Sequence, residues 1–138
     1  MSPESVFSFV NTFVLPFWII IWFIPKWKHR NTAVYIAAAI LAATYATYLL
    51  LGPGVDITQF GSLEGVKALF TNETAVLIGW IHYLAFDMLI GNWVVNQSQE
   101  LGIKHILVLP CLLFCFMLGP VGYLLFQILK FTKIGRIN

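Results

Sequence analysis

Residues 79–93 read GWIHYLAFDMLIGNW. The stretch is apolar enough to lie within a bilayer, yet His82 and Asp87 stand near its middle. A charged side chain at the centre of a membrane helix costs about 2.5–3.5 kcal/mol even on lenient scales, so it must be compensated or used. Whether the flanking chain makes a membrane helix of this stretch decides the fold.

It does, because the apolar run extends from about Thr74 to Val95, and spanning the hydrocarbon core takes about 20 such residues as helix. Three more runs qualify: about Val6 to Ile24, Thr32 to Leu51 and Ile106 to Leu129. They are continuous rather than alternating and too long for barrel strands. Between the second and third runs, residues 52–72 are more polar, opening on Gly-Pro-Gly, a helix stop. Ser62 followed by Leu63, Val66, Leu69 and Phe70 gives the three-and-four spacing of a short amphipathic helix, too short to span. The expected fold is an all-α membrane protein: one four-transmembrane-helix bundle over residues 1–138, with a short interfacial helix between spans two and three.

Composition agrees. Of 138 residues 59% are hydrophobic and 10% charged, against about 25% charged in soluble domains, so lipid is the expected solvent. The net charge of +2 is too small and scattered to suggest nucleic acid. Cys111 and Cys115, four apart in an apolar run, suggest packing rather than a disulfide framework. The N-terminal run lacks a basic leader and a small-residue cleavage site, so it is expected to be a retained span. Four crossings would place Lys26, Lys28, Arg30 and Lys104 on one side and Lys67, Lys130, Lys133 and Arg136 on the other, a tie of four against four. The usual dominance of the first helix then leans toward both ends of the chain lying outside the cytoplasm.

At about 100° per residue, Trp80, Tyr83, Asp87 and Gly91 form one stripe, expected to face the bundle interior, whereas His82 points about 140° away from Asp87. The two therefore need partners from other helices or a ligand between them. Asp87 is the first functional candidate, against a structural carboxyl bonded across the bundle; His82 is the second, as an acid or base. Asn11 is a candidate interhelical hydrogen-bonding residue, and the hydroxyls of Tyr45 and Tyr48, three apart on span two, are candidate partners for His82 or Asp87. Trp18, Trp22 and Trp27 resemble an interfacial belt. Gly119-Pro120 predicts a kink in span four, and Gly119 and Gly122 permit close approach of a helix or a flat ligand. His29, His82 and His105 share no helix at ligand spacing, so neither metal nor haem is expected. The sequons at Asn72 and Asn96 hug span ends and read as chance.

The run GWIHYLAFDMLIGNW, Asn96 just after it, FGSLEGVKALF (60–70) and LPCLLFCFMLGPVGYLLF (109–126) together resemble the abscisic-acid-deficient, or neoxanthin synthase, membrane family. The resemblance covers nearly the whole chain and is most specific at Trp80, His82, Leu84, Asp87, Pro120 and Gly122. It implies four spans and a role in converting the epoxy-carotenoid violaxanthin to neoxanthin. The chain looks like a compact bacterial-type member, which implies a multi-pass protein of the bacterial cytoplasmic membrane.

Opening an epoxide to an allene is redox-neutral and implies no cofactor. The resemblance casts Asp87 and His82 as acid and base, in either order. Trp80, Tyr83, Asn11, Tyr45, Tyr48, Gly119 and Gly122 would line a slot for a carotenoid or other isoprenoid lipid. The rival expectation is a non-catalytic membrane scaffold or pigment-binding subunit. A homodimer or a membrane-protein partner suits either.

Overall fold

A computed structural model describes residues 2–52 and 54–135. Pro53 of the Gly-Pro-Gly stop and Arg136 of the basic count lie outside the described residues. Four long helices, α1 (Pro3–Phe23), α2 (Arg30–Leu51), α4 (Glu73–Glu100) and α5 (His105–Ile134), form the bundle. Each is long and apolar enough to cross a membrane by length and composition. A 3-10 turn (Ile57–Gly61) and the short helix α3 (Leu63–Leu69) fill the link between α2 and α4, where the sequence pattern places a short helix. Among the described residues there is no strand.

The helix ends follow from local chemistry. Ser2 Oγ accepts the Ser5 N–H at 3.3 Å, with Pro3 in the first turn of α1. Ser62 Oγ accepts the Gly65 N–H at 3.0 Å and starts α3. Asn72 Oδ1 accepts the N–H groups of Thr74 (2.8 Å) and Ala75 (3.2 Å), so this sequon asparagine caps α4. The Thr58 hydroxyl and N–H both donate to Asp56 at the 3-10 turn and hold its carboxyl below the usual carboxylate range. Gly102, at φ +67°, ends α4 in the left-handed conformation that glycine adopts without strain, allowing α5 to begin three residues later.

Helix α4 is the hub, packed along α1, α2 and α5. Its Ile81, Met88 and Val94 are fully buried against Val10, Val14 and Ile21 of α1, Val34 and Leu41 of α2, and Leu112 and Phe126 of α5. In lipid such contacts hold by close packing rather than by escape from water, which favours small residues at the crossings. Gly91 shows this, since a Cβ there would stand 2.7 Å from Trp18 Cη2. Trp18 is accordingly 1% exposed, with its ring edge-on to Phe116 at 5.3 Å. It is a core residue, not part of an interfacial belt, because Gly91 leaves a flat seat for the indole. Trp27, at 42% exposure, fits the expected belt better.

Helix α5 does more than kink. Leu118 leaves the helical conformation (φ −147°, ψ 58°), and beyond it the chain turns back on itself. The descending limb, 105–117, starts beside the end of α1, where His105 Nε2 lies 2.7 Å from the Trp22 carbonyl. It ends near the middle of α4, where Gly119 meets Asp87. The return limb, 119–134, then runs parallel to α4. Tyr123 and Phe126 pack on Trp93 at 5.6 and 5.7 Å, and one turn further Lys130 reaches Gln97 at 3.4 Å. A Cβ on Gly122 would collide with the backbone of Cys115 and lie 2.6 Å from the Cys111 carbonyl, contacts that a straight helix cannot make. Pro120, with no N–H, falls in the first turn of the return limb, where a donor is not required. The Gly-Pro pair thus marks a reversal rather than the expected bend.

One end of the bundle is organised by Arg30, which is 3% exposed. Its Nε donates to Asn92 Oδ1 at 3.0 Å, and its remaining nitrogens donate to the Pro25 carbonyl, Asn31 Oδ1 and Asn96 Oδ1. Asn92 Nδ2 donates to Asn31 Oδ1 at 2.9 Å, and Gln99 Nε2 to the Pro25 carbonyl at 2.8 Å. The α1–α2 turn is thereby tied to the last turns of α4.

Candidate functional site

Where α5 turns back, the bundle loses its fourth helix halfway along α4. The result is a lateral cleft of about 760 Å³, floored by α4 and walled by α1 and by the tip of the α5 hairpin. Asn11, Thr12 and Leu15 contribute from α1, Trp80, Tyr83 and Asp87 from α4, and residues 116–121 from the tip. The helical spacing that puts Trp80, Tyr83 and Asp87 on one stripe aims that stripe into this cleft. It does not face a closed interior, because Trp80 is 40% and Tyr83 59% exposed. Only Gly91, at the upper end of the stripe, is sealed, by Trp18.

Asp87 lies at the midpoint of α4, half-buried, with its carboxyl pressed against the Cα of Gly119. It has no hydrogen-bond or ion-pair partner among the described residues. Three other polar side chains of the cleft are engaged. Trp80 Nε1 donates to Asn11 Oδ1 at 3.0 Å, Asn11 Nδ2 donates to the Phe7 carbonyl at 2.9 Å, and the Thr12 hydroxyl donates to the Ser8 carbonyl at 3.0 Å. Asn11 is thus the interhelical bonding residue that its place in span one suggests. The cleft thus holds the Asp87 carboxyl, which like the Tyr83 hydroxyl has no hydrogen-bond partner among the described residues, in an otherwise largely apolar and aromatic lining.

The remaining candidates lie elsewhere. His82 stacks on Phe86 at 4.7 Å and lies 5.9 Å from Tyr45, on the opposite side of α4 from the cleft. With Tyr45, Phe60, Phe70 and Tyr83 it lines a second cavity of about 410 Å³. Tyr48 lines a third, of about 260 Å³, with Asp56 and Asn72 at the polar end of the molecule. Gly122 lies inside the α5 hairpin and lines no slot, because its missing side chain is needed for the reversal. On α2 the Thr44 and Thr47 hydroxyls donate to the Ile40 and Ala43 carbonyls one turn back, at 2.9 and 2.8 Å. The expected site therefore separates into three parts, of which Asp87, Trp80, Tyr83, Asn11 and Gly119 share one cleft. Tyr83 borders both the first and the second cavity.

The Arg30 cluster is absent from the sequence-based candidates. The available signal is the spacing of Asn92 and Asn96, four apart on one helix face, in a helix where such residues are scarce. Among the described residues no three His, Cys, Asp or Glu side chains are grouped to hold a metal ion.

A membrane bundle with a bare carboxyl in a lateral cleft at mid-helix is the class that the fold and site define. Residues 5–126 match the model of the family described as ABA DEFICIENT 4-like, and the chain belongs to that family. It is 31% identical over 132 residues to Protein ABA DEFICIENT 4, chloroplastic, of Arabidopsis thaliana, a match covering 86% of this chain and 57% of that protein. The chain thus spans little over half the length of that relative. No solved structure matches. The expectation of a bacterial-type member in a bacterial cytoplasmic membrane finds no support, since this relative is a chloroplastic plant protein.

Proposed function

We propose that the Asp87 cleft binds an epoxide-bearing carotenoid or a similar isoprenoid and isomerises it. The observation that carries this reading is the uncommitted carboxyl at the middle of α4, opening into an apolar cleft beside Trp80 and Tyr83. His82, on the far side of α4, is not positioned to act on the same bond, so the scheme uses one carboxyl in two roles. Protonated Asp87 gives its proton to the epoxide oxygen as the carbon–oxygen bond breaks. The carboxylate so formed removes the proton from the adjacent polyene carbon, leaving a hydroxyl and an allene and restoring the acid. Protons balance over the cycle and no electrons are exchanged. Aromatic faces stabilise the intervening cation.

The test is expression in cells that accumulate an epoxy-carotenoid, with pigments separated by chromatography. Appearance of the allenic isomer supports the reading, and an unchanged pigment profile beside intact protein overturns it. Pigment that co-purifies without conversion would establish the pigment-binding alternative.

Gly119 offers a steric test of the same site. A Cβ at this position would occupy the space of the Asp87 carboxyl. Gly119→Ala is expected to push the carboxyl out of line and lower conversion by about 100-fold, since displacements near 1 Å can have that effect. Pigment conversion per mole of folded protein is the measurement.

A further inference from the structure

We infer that α5 enters and leaves the membrane on one side, so that the chain crosses three times and residues 3 and 134 lie on opposite faces. It follows that the Asp87 cleft opens only to the leaflet on the residue-3 side.

Length is the first argument. The limbs 105–117 and 119–134 measure about 20 and 24 Å at 1.5 Å per residue, and neither reaches across a hydrocarbon core of about 30 Å. Contacts are the second. Lys130 lies beside Gln97 and Trp93, near the end of α4 where α5 began, and not beside Glu73 at the other end. Within each limb the backbone is helical, and at the tip Gly119 is buried against Asp87 of α4.

Charge is a third and independent argument. With α5 returning, the end of the bundle that holds the α1–α2 and α4–α5 turns carries Lys26, Lys28, Arg30, Lys104, Lys130 and Lys133. The opposite end carries Lys67 alone among the described basic residues, together with Glu4, Asp56, Glu64 and Glu73. Among the described basic residues, the four against three that four crossings would give becomes six against one. Basic residues flanking membrane helices are retained on the cytoplasmic side, or on the side equivalent to it in an organelle. That places the Arg30 end inside and residue 3 outside, and replaces the orientation with both ends outside.

The same geometry says where the cleft opens. Below the hairpin tip, toward residue 3, α1 and α4 have no α5 beside them, and a further hollow of about 590 Å³ continues there between Glu4, Phe7 and Val76. Toward the Arg30 end, the two α5 limbs close the way. An isoprenoid therefore reaches Asp87 laterally from the leaflet on the residue-3 side, a statement that rests on the reading of the cleft proposed above. The crossing count does not.

The experiment is labelling of single added cysteines with a membrane-impermeant maleimide in sealed right-side-out vesicles, with the wild-type protein as control because Cys111 and Cys115 are buried. Ser5→Cys, Glu64→Cys, His29→Cys and Thr132→Cys all place the thiol at exposed positions. Ser5→Cys and Glu64→Cys should label close to completion, while His29→Cys and Thr132→Cys should label only after the vesicles are opened. Labelling of Thr132→Cys together with Ser5→Cys is the four-crossing pattern and overturns the inference. Labelling of His29→Cys from outside overturns the orientation. Because no pigment enters the measurement, it can succeed where the conversion assay fails, and the reverse.

Discussion

Asp87→Asn is expected to lower pigment conversion by about 100- to 10,000-fold, the usual range for removal of a positioned acid or base, while pigment still binds. The amide has the shape of the carboxyl and fills the same space against Gly119, but it neither gives nor takes a proton at useful rates. Asp87 has no hydrogen-bond or ion-pair partner among the described residues, so no network is broken. Unfolding in detergent should move by no more than about 0.5 kcal/mol, as for a substitution away from packed or bonded features. His82→Ala is the discriminating companion. His82 faces a separate cavity, stacked on Phe86, and its loss should lower conversion less than Asp87→Asn does. Equal loss in both variants would refute the single-carboxyl scheme and restore a two-residue mechanism.

Asn92→Leu is expected to destabilise the folded protein by about 3 kcal/mol, the upper end for a hydrogen bond to a charged group. Arg30 is almost fully buried and its partners among the described residues are neutral oxygens, so its charge is stabilised by several dipoles acting together. Leucine removes the acceptor of Nε and also the donor to Asn31. The double variant Arg30→Met with Asn92→Leu should be less destabilised than the sum of the two single changes, because it removes the buried charge along with its partner. Thermal unfolding in detergent reads all four states of this cycle. A loss below about 0.5 kcal/mol for Asn92→Leu would mean that the arginine finds water instead.

Much of this architecture is legible in the residues, and the exceptions share a cause. Apolar runs of bilayer length locate α1, α2, α4 and α5, and the spacing of Leu63, Val66 and Leu69 locates α3. Helical geometry alone separates His82 from Asp87 and places Trp80 and Tyr83 beside Asp87. The reversal of α5 is not visible that way, because a largely apolar stretch of this length reads alike whether it crosses or doubles back. Gly119-Pro120 marks the place but not the angle, which depends on Gly122 meeting the Cys111–Cys115 turn. Trp18 is misread for a related reason: a tryptophan near a helix end suits an interface until Gly91, seventy-three residues later, offers it a seat. Arg30, in a run of basic residues, gives no hint of burial until Asn92 and Asn96 are brought to it. In each case the deciding partner is distant in sequence, and local pattern carries no information about it.

The seat under the hairpin tip has a consequence for affinity. In a bilayer a space of about 760 Å³ lined by apolar groups is exposed to acyl chains, so any ligand must displace one. Binding is then an exchange, and the apparent dissociation constant is scaled by one plus the ratio of the acyl-chain concentration to the acyl chain's own dissociation constant. Longer or more saturated chains change that ratio without touching a protein residue. The composition of the surrounding lipid is thus a competitive inhibitor whose concentration is set by the membrane itself.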